Sequence, residues 1–273
     1  MRECPSRLVL LGHPVAHSLS PALQNAALRT AGIPLEYEVI DVDGEHLGPL
    51  LMSLKSQRAA GNVTVPHKET ITRLCGECTP LVHRVGAANV FWVAGDGTLT
   101  CDNTDVAGFD HLVRAALAAI PTGERVVLLG AGGAASAALA AIEKWSEGDC
   151  EVALYNRHPA RAERLAERFP VVKHVAETVT EALRRASIVV NATPVGLYSD
   201  EHPAPLDEID PGATVVDLVY RPGQTAWVRE ALARGMRASD GLPMLLEQGA
   251  LAFERWFGIP APRDAMRLAV AAT

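Results

Sequence analysis

The sequence is poor in aromatic residues, in cysteine and in long hydrophobic runs. Aromatic residues make up 5% of the 273 positions, whereas hydrophobic residues of all kinds make up 48%. A core built mainly from Ala, Leu and Val suits parallel strands covered by Ala-rich helices, so the composition favours an α/β fold. A chain of this length forms one large domain or two of moderate size, and we favour two.

Positive charge is also scarce. The formal net charge is -7, and a negatively charged surface repels nucleic acid and anionic membranes. No apolar run approaches the roughly 18 residues of a membrane-spanning helix, and the N-terminus enters a short strand-like run instead of a signal-peptide core. We therefore expect a cytoplasmic protein, monomer or homodimer, that binds a small molecule and neither nucleic acid nor a membrane.

The five cysteines are an odd number and are thinly spread, which argues against a disulfide framework. Cys75 and Cys78 have the spacing of a redox or zinc motif, but there is no second pair and no redox-type strand and helix around them. We interpret both as half-buried small residues. Because no other spacing is typical of metal ligands, we predict no bound metal.

Hydrophobic periodicity predicts alternating strands and helices. The first part of the chain has predicted strands at residues 7–12, 35–42 and 61–65, a hairpin joining 90–93 to 99–102, and helices at 47–54 and 105–120. Another helix is predicted to start with Ser20 as its cap and Pro21 at its first position.

From residue 125 onward the alternation becomes regular, as is typical of a parallel, doubly wound sheet. The predicted strands are 126–129, 151–155, 188–191 and 214–217, and the predicted helices are 134–145 and 160–169. A final amphipathic helix is predicted at residues 245–257, and we expect it to return to the first domain.

A glycine-rich turn joins the first of these strands to its helix. It contains the residues Gly130, Ala131, Gly132, Gly133 and Ala134. Backbone N–H groups at such a turn face a pyrophosphate without a Cβ in the way. Gly130 and Gly132 match the first two glycines of the dinucleotide fingerprint, and Ala135 fills its third small position. The alternative interpretation is a tight structural turn.

The next strand ends in Asn156 and Arg157, without the acid that usually binds the ribose of NAD. A guanidinium can instead bind a 2′-phosphate, so the pattern favours NADP; a solvated surface arginine is the alternative. Thr193 and Pro194 follow a third strand, at the sheet edge where such folds bind ligands. They are expected to flank the cofactor, unless they only end the strand.

Three polar clusters in the first part of the chain follow predicted strands or the domain junction. Taken singly, Ser20 and Asp105 are explained as helix caps and Lys68 as a surface lysine. They occur, however, within an ordered series of short motifs: Gly12-His-Pro14, His17-Ser-Leu-Ser-Pro21, Asn62-Val-Thr-Val-Pro-His-Lys68, Gly86-Ala-Ala-Asn89, Asp102-Asn-Thr-Asp105, Asn191-Ala-Thr193, Asp217-Leu-Val-Tyr220 and Gly241-Leu-Pro-Met-Leu-Leu-Glu-Gln248.

Together these motifs resemble the shikimate dehydrogenase family, over nearly the whole chain and in the right order, with the glycine turn between the fifth and the sixth. The resemblance implies reversible, NADPH-dependent reduction of 3-dehydroshikimate to shikimate, a step of aromatic amino-acid biosynthesis. It also implies an α/β substrate-binding and catalytic domain of residues 1–105 with 241–273, a Rossmann-like NADP domain of residues 106–240 with a doubly wound parallel sheet, and a cleft between them.

By this resemblance, Lys68 and Asp105 are the catalytic pair, with Lys68 as the first choice for the general acid. Hydride arrival builds negative charge on the ketone oxygen, which an ammonium beside a carboxylate can neutralise. The implied substrate-binding residues are Ser18 and Ser20 for the carboxylate, Thr64, Asn89 and Gln248 for the ring hydroxyls, and Tyr220 from the cofactor domain. The implied cofactor-binding residues also include Val219 and Gly241.

Three positions depart from the family pattern: Gln24, Leu197 and His158 stand where histidine, methionine and threonine are common. Two alternative functions remain open. One is a relative that accepts quinate, or both substrates, perhaps with NAD. The other is a non-catalytic dinucleotide-binding regulator, which the presence of both Lys68 and Asp105 disfavours.

Overall fold

The structure is a computed structural model that describes residues 4–117, 123–145 and 149–272. The chain divides into two compact units, Met1–Asp105 with Leu245–Thr273, and Val106–Met244. Each unit contains a six-stranded sheet with helices. The expected α/β class is therefore confirmed. In the described ranges, every helix is too short or too polar to cross a membrane.

The first unit has a mixed sheet. Its elements are β1 (Arg7–Gly12), α1 (Ser20–Thr30), β2 (Tyr37–Asp41), α2 (Leu47–Ser56), β3 (Ala59–Val63), α3 (Ile71–Leu74), β4 (Glu77–Cys78), α4 (Pro80–Val85), β5 (Val90–Val93), β6 (Leu99–Asp102), most of α10 (Leu242–Phe257) and α11 (Arg263–Ala271). The strand order is β2-β1-β3-β5-β6-β4. β1 is parallel to β2 and β3, whereas β5 is antiparallel to β3 and β6.

This sheet brings four chain segments to one edge. Parallel pairing of Leu11 with Val63 puts the ends of β1 and β3 side by side. β5 starts at the same edge because Val90 pairs with Asn62, and β6 ends there because Val90 also pairs with Asp102. Consequently, the segments that follow β1, β3 and β6 and the segment that precedes β5 are neighbours.

The second unit has a parallel sheet. Its elements are α5 (Asp105–Leu117), β7 (Arg125–Leu129), α6 (Gly133–Ile142), β8 (Glu151–Tyr155), α7 (Pro159–Ala166), β9 (Val172–Val175), α8 (Val179–Ala182), β10 (Ile188–Asn191), a 3-10 helix (Leu206–Glu208), β11 (Thr214–Asp217), α9 (Ala226–Ala233) and β12 (Arg237–Ser239). The order β12-β11-β10-β7-β8-β9 is that of the Rossmann fold, whose strand order reverses beside β7.

The second unit buries apolar surface on both sides of its strands. β7, β10 and β11 are almost entirely buried, and the residues from Ala135 to Ile142 on α6 are buried as well. Small side chains let this helix approach the sheet closely, which explains its alanine-rich sequence. The glycine turn before α6 is therefore fixed between two buried elements.

Several details of the sequence prediction are wrong; for example, β3 spans Ala59–Val63 and not residues 61–65, and α6 ends at Ile142 and not at residue 145. Ser20 is not a helix cap: it is the first residue of α1, and its N–H donates to Oγ of Ser18 at 3.2 Å. The helix predicted at residues 245–257 starts at Leu242 and is not the last, because α11 follows it and packs on α1. Residues 118–120 of the predicted helix 105–120 lie outside the described residues.

Candidate active site

Lys68, Asn89 and Asp105 form a hydrogen-bonded cluster at the edge where β3 ends and β5 begins. Nζ of Lys68 donates to Oδ2 of Asp105 at 2.7 Å, and Nδ2 of Asn89 donates to Oδ1 of Asp105 at 2.8 Å. The Asp105 side chain is 4% exposed and that of Lys68 is 16% exposed. Both carboxylate oxygens are thus occupied, and the ammonium keeps limited access to solvent. This arrangement holds an acidic proton at a fixed place.

Asn89 connects this ion pair to other parts of the first unit. Its Oδ1 accepts the N–H of Thr104 at 2.7 Å, and its Nδ2 also lies 3.1 Å from Oε1 of Gln248. Its carbonyl accepts from Nδ2 of Asn62 at 3.0 Å. The predicted residues Lys68, Asn89, Asp105 and Gln248 therefore meet, although they are distant in the sequence. Thr104, which donates to Asn89, is not among the site residues that the sequence predicts. The sequence feature that could have indicated it is its position next to Asp105.

The segment after β1 carries Ser18, and Ser20 follows it as the first residue of α1. Asp41, the last residue of β2, anchors this segment: Oδ1 lies 2.5 Å from Nδ1 of His13, and Oδ2 accepts the N–H of Val15 at 3.3 Å. The hydrogen bond to Asp41 raises the pKa of His13. Because Oγ of Ser18 already accepts the N–H of Ser20, the hydroxyl proton of Ser18 can serve another acceptor.

Thr64 comes directly after β3 and lies against Gly12. A Cβ at Gly12 would approach Cγ2 of Thr64 to 2.5 Å, so the glycine makes room for this threonine. His67 is 1% exposed, and its Nε2 lies 2.6 Å from the carbonyl oxygen of Val42. His67 therefore has a structural role through this hydrogen bond. The neighbouring residue Lys68 forms the ion pair with Asp105 instead.

Gln24 on α1 contacts the backbone of α10 next to Gln248. Nε2 of Gln24 donates to the carbonyl of Gly249 at 2.9 Å, while its buried Oε1 has no hydrogen-bond partner within the described part of the chain. A Cβ at Gly249 would come within 2.8 Å of Leu23, so the glycine permits this close helix contact. The side chain of Gln24 consequently supports the backbone next to Gln248.

In the second unit, the glycine turn has the backbone that a dinucleotide site needs. Gly130 has φ of 113°, and a Cβ there would lie 2.8 Å from the carbonyl oxygen of Ala192. By contrast, a Cβ at Gly132 would meet no atom within 4 Å. Space is therefore open next to Gly132, which precedes Gly133 and Ala134 at the N-terminus of α6, where N–H groups attract phosphate. These residues fit a pyrophosphate.

Asn156 and Arg157 follow β8 at the same edge of this sheet. Arg157 is exposed, and Nδ2 of Asn156 donates to the carbonyl of His158 at 2.9 Å. Gly130 is tied to this strand end through a hydrogen bond of its N–H to the carbonyl of Tyr155 at 2.8 Å. Arg157 thus comes two residues after a strand end that is hydrogen-bonded to the glycine turn, and an exposed guanidinium is a group that can bind a phosphate.

Asp217 organises the two loops that follow β10 and β11. Its Oδ1 accepts from Nδ2 of Asn191 at 2.8 Å and from the N–H of Val219 at 3.0 Å. Oδ1 of Asn191 in turn accepts the Thr193 hydroxyl at 2.6 Å. Burial raises the pKa of Asp217 to about 6. Asp217 was not among the predicted site residues, although it ends its strand as Asn191 does.

The other predicted residues of the second unit lie on the same loops. Pro194 follows Thr193, and Tyr220 is half-buried after Val219. Gly241 has a steric role: its Cβ would lie 2.3 Å from the carbonyl oxygen of Leu218. Within the described residues, no group of three or more His, Cys, Asp or Glu side chains could hold a metal ion.

Family models match most of the chain. The model for the shikimate dehydrogenase substrate binding domain matches residues 10–91, that for shikimate / quinate 5-dehydrogenase matches 114–199, and that for the shikimate 5'-dehydrogenase C-terminal domain matches 241–270. A shikimate dehydrogenase (NADP(+)) of Methanopyrus kandleri is 39% identical over 273 residues, covering 96% of this chain and 93% of that protein.

Solved structures are similar over the whole length. Shikimate dehydrogenase from Aquifex aeolicus has a TM-score of 0.89 and 32% identity, with 97% of each chain covered. Shikimate 5-dehydrogenase from Thermus thermophilus, in complex with NADP(H) and shikimate, has a TM-score of 0.85 and 38% identity, covering 97% of this chain and 98% of that one. Quinate dehydrogenase from Corynebacterium glutamicum, in complex with NAD, has a TM-score of 0.88 at 26% identity, covering 98% and 99%.

Proposed function

This chain belongs to the shikimate dehydrogenase family, and on that premise we propose how its residues catalyse the reversible, NADP-dependent reduction of 3-dehydroshikimate to shikimate. The chain is an NADP-dependent oxidoreductase of aromatic biosynthesis. The observation that carries the proposed mechanism is the partly buried ion pair in which Nζ of Lys68 lies 2.7 Å from Oδ2 of Asp105.

Lys68 is the general acid of the reduction. NADPH, when bound by the second unit, would supply the hydride for the ketone carbon. The electron pair of the C=O π bond moves to oxygen, and the ammonium of Lys68 donates a proton there to complete the alcohol. In the oxidation of shikimate, the neutral amine of Lys68 takes that proton back. Asp105 holds the ammonium in place and accepts a hydrogen bond from the reacting hydroxyl.

The remaining residues of the first unit hold the substrate. Two serine hydroxyls, Ser18 and Ser20, donate to the carboxylate without placing a full positive charge beside it. Asn89, Thr64 and Gln248 bind the ring hydroxyls. The Asn89 amide both binds a ring hydroxyl and orients the catalytic carboxylate, since it also donates to Asp105 at 2.8 Å. Substrate position and the orientation of the catalytic carboxylate are therefore linked through one side chain.

The second unit holds the cofactor. The pyrophosphate binds at the turn from Gly130 to Ala134 and at the N-terminus of α6, where the open space beside Gly132 supports this placement. Asn156 and Arg157 bind the 2′-phosphate, which gives the preference for NADP over NAD. Thr193, Pro194 and Val219 line the nicotinamide side, and Gly241 permits the close backbone contact there.

Initial rates of nicotinamide absorbance change test this mechanism, with shikimate and quinate each combined with NADP+ and NAD+. We expect turnover mainly with shikimate and NADP+. The variant Lys68→Ala should lower kcat by roughly 10²–10⁴-fold, the range for loss of a general acid or base. Lys55→Ala is the matched control, because Lys55 is an exposed lysine at the end of α2.

Other outcomes select among the alternatives. Full activity of Lys68→Ala would remove the lysine from the mechanism. Comparable turnover with quinate or with NAD+ indicates a relaxed quinate/shikimate dehydrogenase. Binding of NADP+ without turnover of either substrate indicates a non-catalytic regulator.

A further inference from the structure

An ion pair between Asp102 and Arg255 joins the end of β6 to α10 in the first unit. The side chain of Asp102 is 5% exposed, whereas that of Arg255 is 38% exposed. Oδ1 of Asp102 also accepts the hydroxyl of Thr79 at 2.6 Å and the N–H of Asn103 at 2.8 Å. The end of β6, the start of α4 and the helix α10 therefore meet at one buried carboxylate, which has no part in the mechanism above.

Asp102 is linked through the backbone to Asn89, a residue of the proposed substrate site. Its carbonyl accepts the N–H of Asn89 at 3.1 Å, and Asp102 pairs with Val90 on β5. The next residue, Asn103, donates from Nδ2 to the carbonyl of Ala87 at 2.8 Å. The position of the Asn89 backbone therefore depends on the position of the end of β6.

Arg255 is linked through α10 to Gln248, another residue of the proposed substrate site. Residues 248 and 255 are about two helical turns apart, so their side chains lie on the same face of α10. Oε1 of Gln248 accepts from Nδ2 of Asn89 at 3.1 Å, while Arg255 pairs with Asp102. The guanidinium also lies 5.6 Å from the centre of the Trp92 ring. The helix is therefore attached both next to β5 and at the end of β6.

The charge of Asp102 makes this attachment directional. Apolar packing alone fixes no direction, whereas the hydrogen bonds of a guanidinium to a carboxylate hold both groups in a defined geometry. If only the arginine is removed, the carboxylate remains buried without a cation, which is strongly destabilising. The carboxylate would then move towards solvent, and the end of β6 and α10 would shift relative to each other.

We propose that Asp102 and Arg255 are positioning residues, which set the distance between the amides of Asn89 and Gln248 and thereby the affinity for the substrate. The inference rests on the function proposed above, in which both amides bind ring hydroxyls. Loss of the ion pair weakens substrate binding more than it slows the chemical step, because the catalytic pair of Lys68 with its carboxylate remains in place.

Steady-state kinetics with shikimate and NADP+, together with calorimetric titration with shikimate alone, test this role. Arg255→Met should raise KM and Kd for shikimate roughly tenfold, the effect of one lost hydrogen bond in a binding site. The value of kcat should change little, and KM for NADP+ should stay that of wild type. Arg255→Lys should recover part of the affinity, because an ammonium also pairs with Asp102 but lacks the forked geometry.

Arg263→Met is the matched control. Arg263 is also 38% exposed and also forms ion pairs with α10, through Glu247 and Glu254, but it belongs to α11. This variant should lower the melting temperature and leave KM for shikimate normal. The double variant Asp102→Asn with Arg255→Met separates position from stability. Without a charge at residue 102 the melting temperature should recover relative to Arg255→Met, while KM stays raised.

Three results would overturn the proposal. These are normal KM and Kd for shikimate in Arg255→Met, an equal rise of KM in Arg263→Met, and recovery of KM together with the melting temperature in the double variant. Absence of shikimate binding and turnover in the wild-type chain would overturn the proposed function and this inference with it. Normal turnover in wild type with normal KM in Arg255→Met would overturn the inference alone.

Discussion

The amide of Asn89 holds together three parts of the first unit that carry the proposed chemistry. It donates to Asp105 at 2.8 Å, accepts the N–H of Thr104 at 2.7 Å and lies 3.1 Å from Oε1 of Gln248. Asn89 is also 2% exposed. A buried polar group that loses its partner destabilises the fold by its full desolvation free energy. Removal of the Asn89 side chain should therefore lower the free energy of unfolding by more than loss of one surface hydrogen bond.

We expect Asn89→Ala to lower kcat at least roughly tenfold and to raise KM for shikimate, because Asp105 loses a donor and the ring loses a contact. The free energy of unfolding should fall by about 1–3 kcal/mol. Steady-state kinetics and urea unfolding measure the two effects. Asn25→Ala is the control: it removes hydrogen bonds to the backbone of Tyr37, so it should lower stability with normal kinetics. Normal kinetics in Asn89→Ala would contradict the substrate role.

Asp217 makes the stability of the second unit depend on pH. Burial raises its pKa from 3.8 to about 6. Above pH 6 the folded state must bury a charged carboxylate. Between about pH 4 and pH 6, the carboxyl group of Asp217 is protonated in the folded state but ionised in the unfolded state. The contribution of Asp217 to stability is therefore complete below about pH 4 and is lost as the pH rises through 6.

Urea unfolding at pH 7, 6 and 5 tests this dependence. Between pH 7 and 5 we expect Asp217 to add about 1 kcal/mol to the free energy of unfolding. Asp217→Asn should abolish that increment, since an amide oxygen still accepts from Val219 and Asn191 but does not titrate. The exposed Asp210→Asn is the control and should keep the increment. An unchanged increment in Asp217→Asn would assign it to another group, such as Asp240, whose pKa burial also raises.

At the level of structural elements, the turn between β7 and α6 contains glycines that lack a side chain for two different reasons. Gly130 requires φ of 113° and lies against the backbone of Ala192, so its lack of a Cβ serves the fold. Gly132 has ordinary negative φ and open space around its missing Cβ, so its lack of a side chain serves a ligand. The sequence alone shows two equivalent glycines of one motif.

This difference predicts opposite results for two alanine variants. Gly132→Ala should keep the melting temperature of wild type but weaken NADP+ binding at least tenfold, because the new methyl group occupies the space of the pyrophosphate. Gly130→Ala should lower the free energy of unfolding by about 1–3 kcal/mol through backbone strain. Thermal melting and calorimetric titration measure both properties. Wild-type NADP+ affinity in Gly132→Ala would contradict the placement of the pyrophosphate.

For the molecule as a whole, the division into Met1–Asp105 with Leu245–Thr273 and Val106–Met244 predicts which amides each ligand protects. A ligand at 100 times its Kd stabilises the structure that binds it by about 2.7 kcal/mol. Shikimate alone should slow hydrogen exchange most around β3, β5 and β6, and NADP+ alone most around β7 and α6. Strong protection by NADP+ in the first unit, with none at the glycine turn, would contradict the assignment of the ligands to the units.

The sequence by itself determined the local features. Five segments are strands as their apolar patterns predict: residues 90–93, 99–102, 151–155, 188–191 and 214–217. Burial of one or both strand faces requires apolar residues at alternate or consecutive positions, and this pattern is visible in the sequence. The glycine turn was recognisable for a similar reason, since its backbone geometry depends on consecutive residues. Catalytic candidates, however, became distinct from caps and surface residues only through the ordered series of motifs.

Tertiary structure decided which of these residues meet. Asn89 reaches Gln248, 159 positions away, because β5 and α10 belong to one unit. The roles of Thr104 and Asp217 depend on similar contacts between separate segments of the chain. Periodicity reports the burial of a residue but not the partner that buries it. Hydrogen bonds and close backbone contacts between distant segments are fixed only when the sheets form.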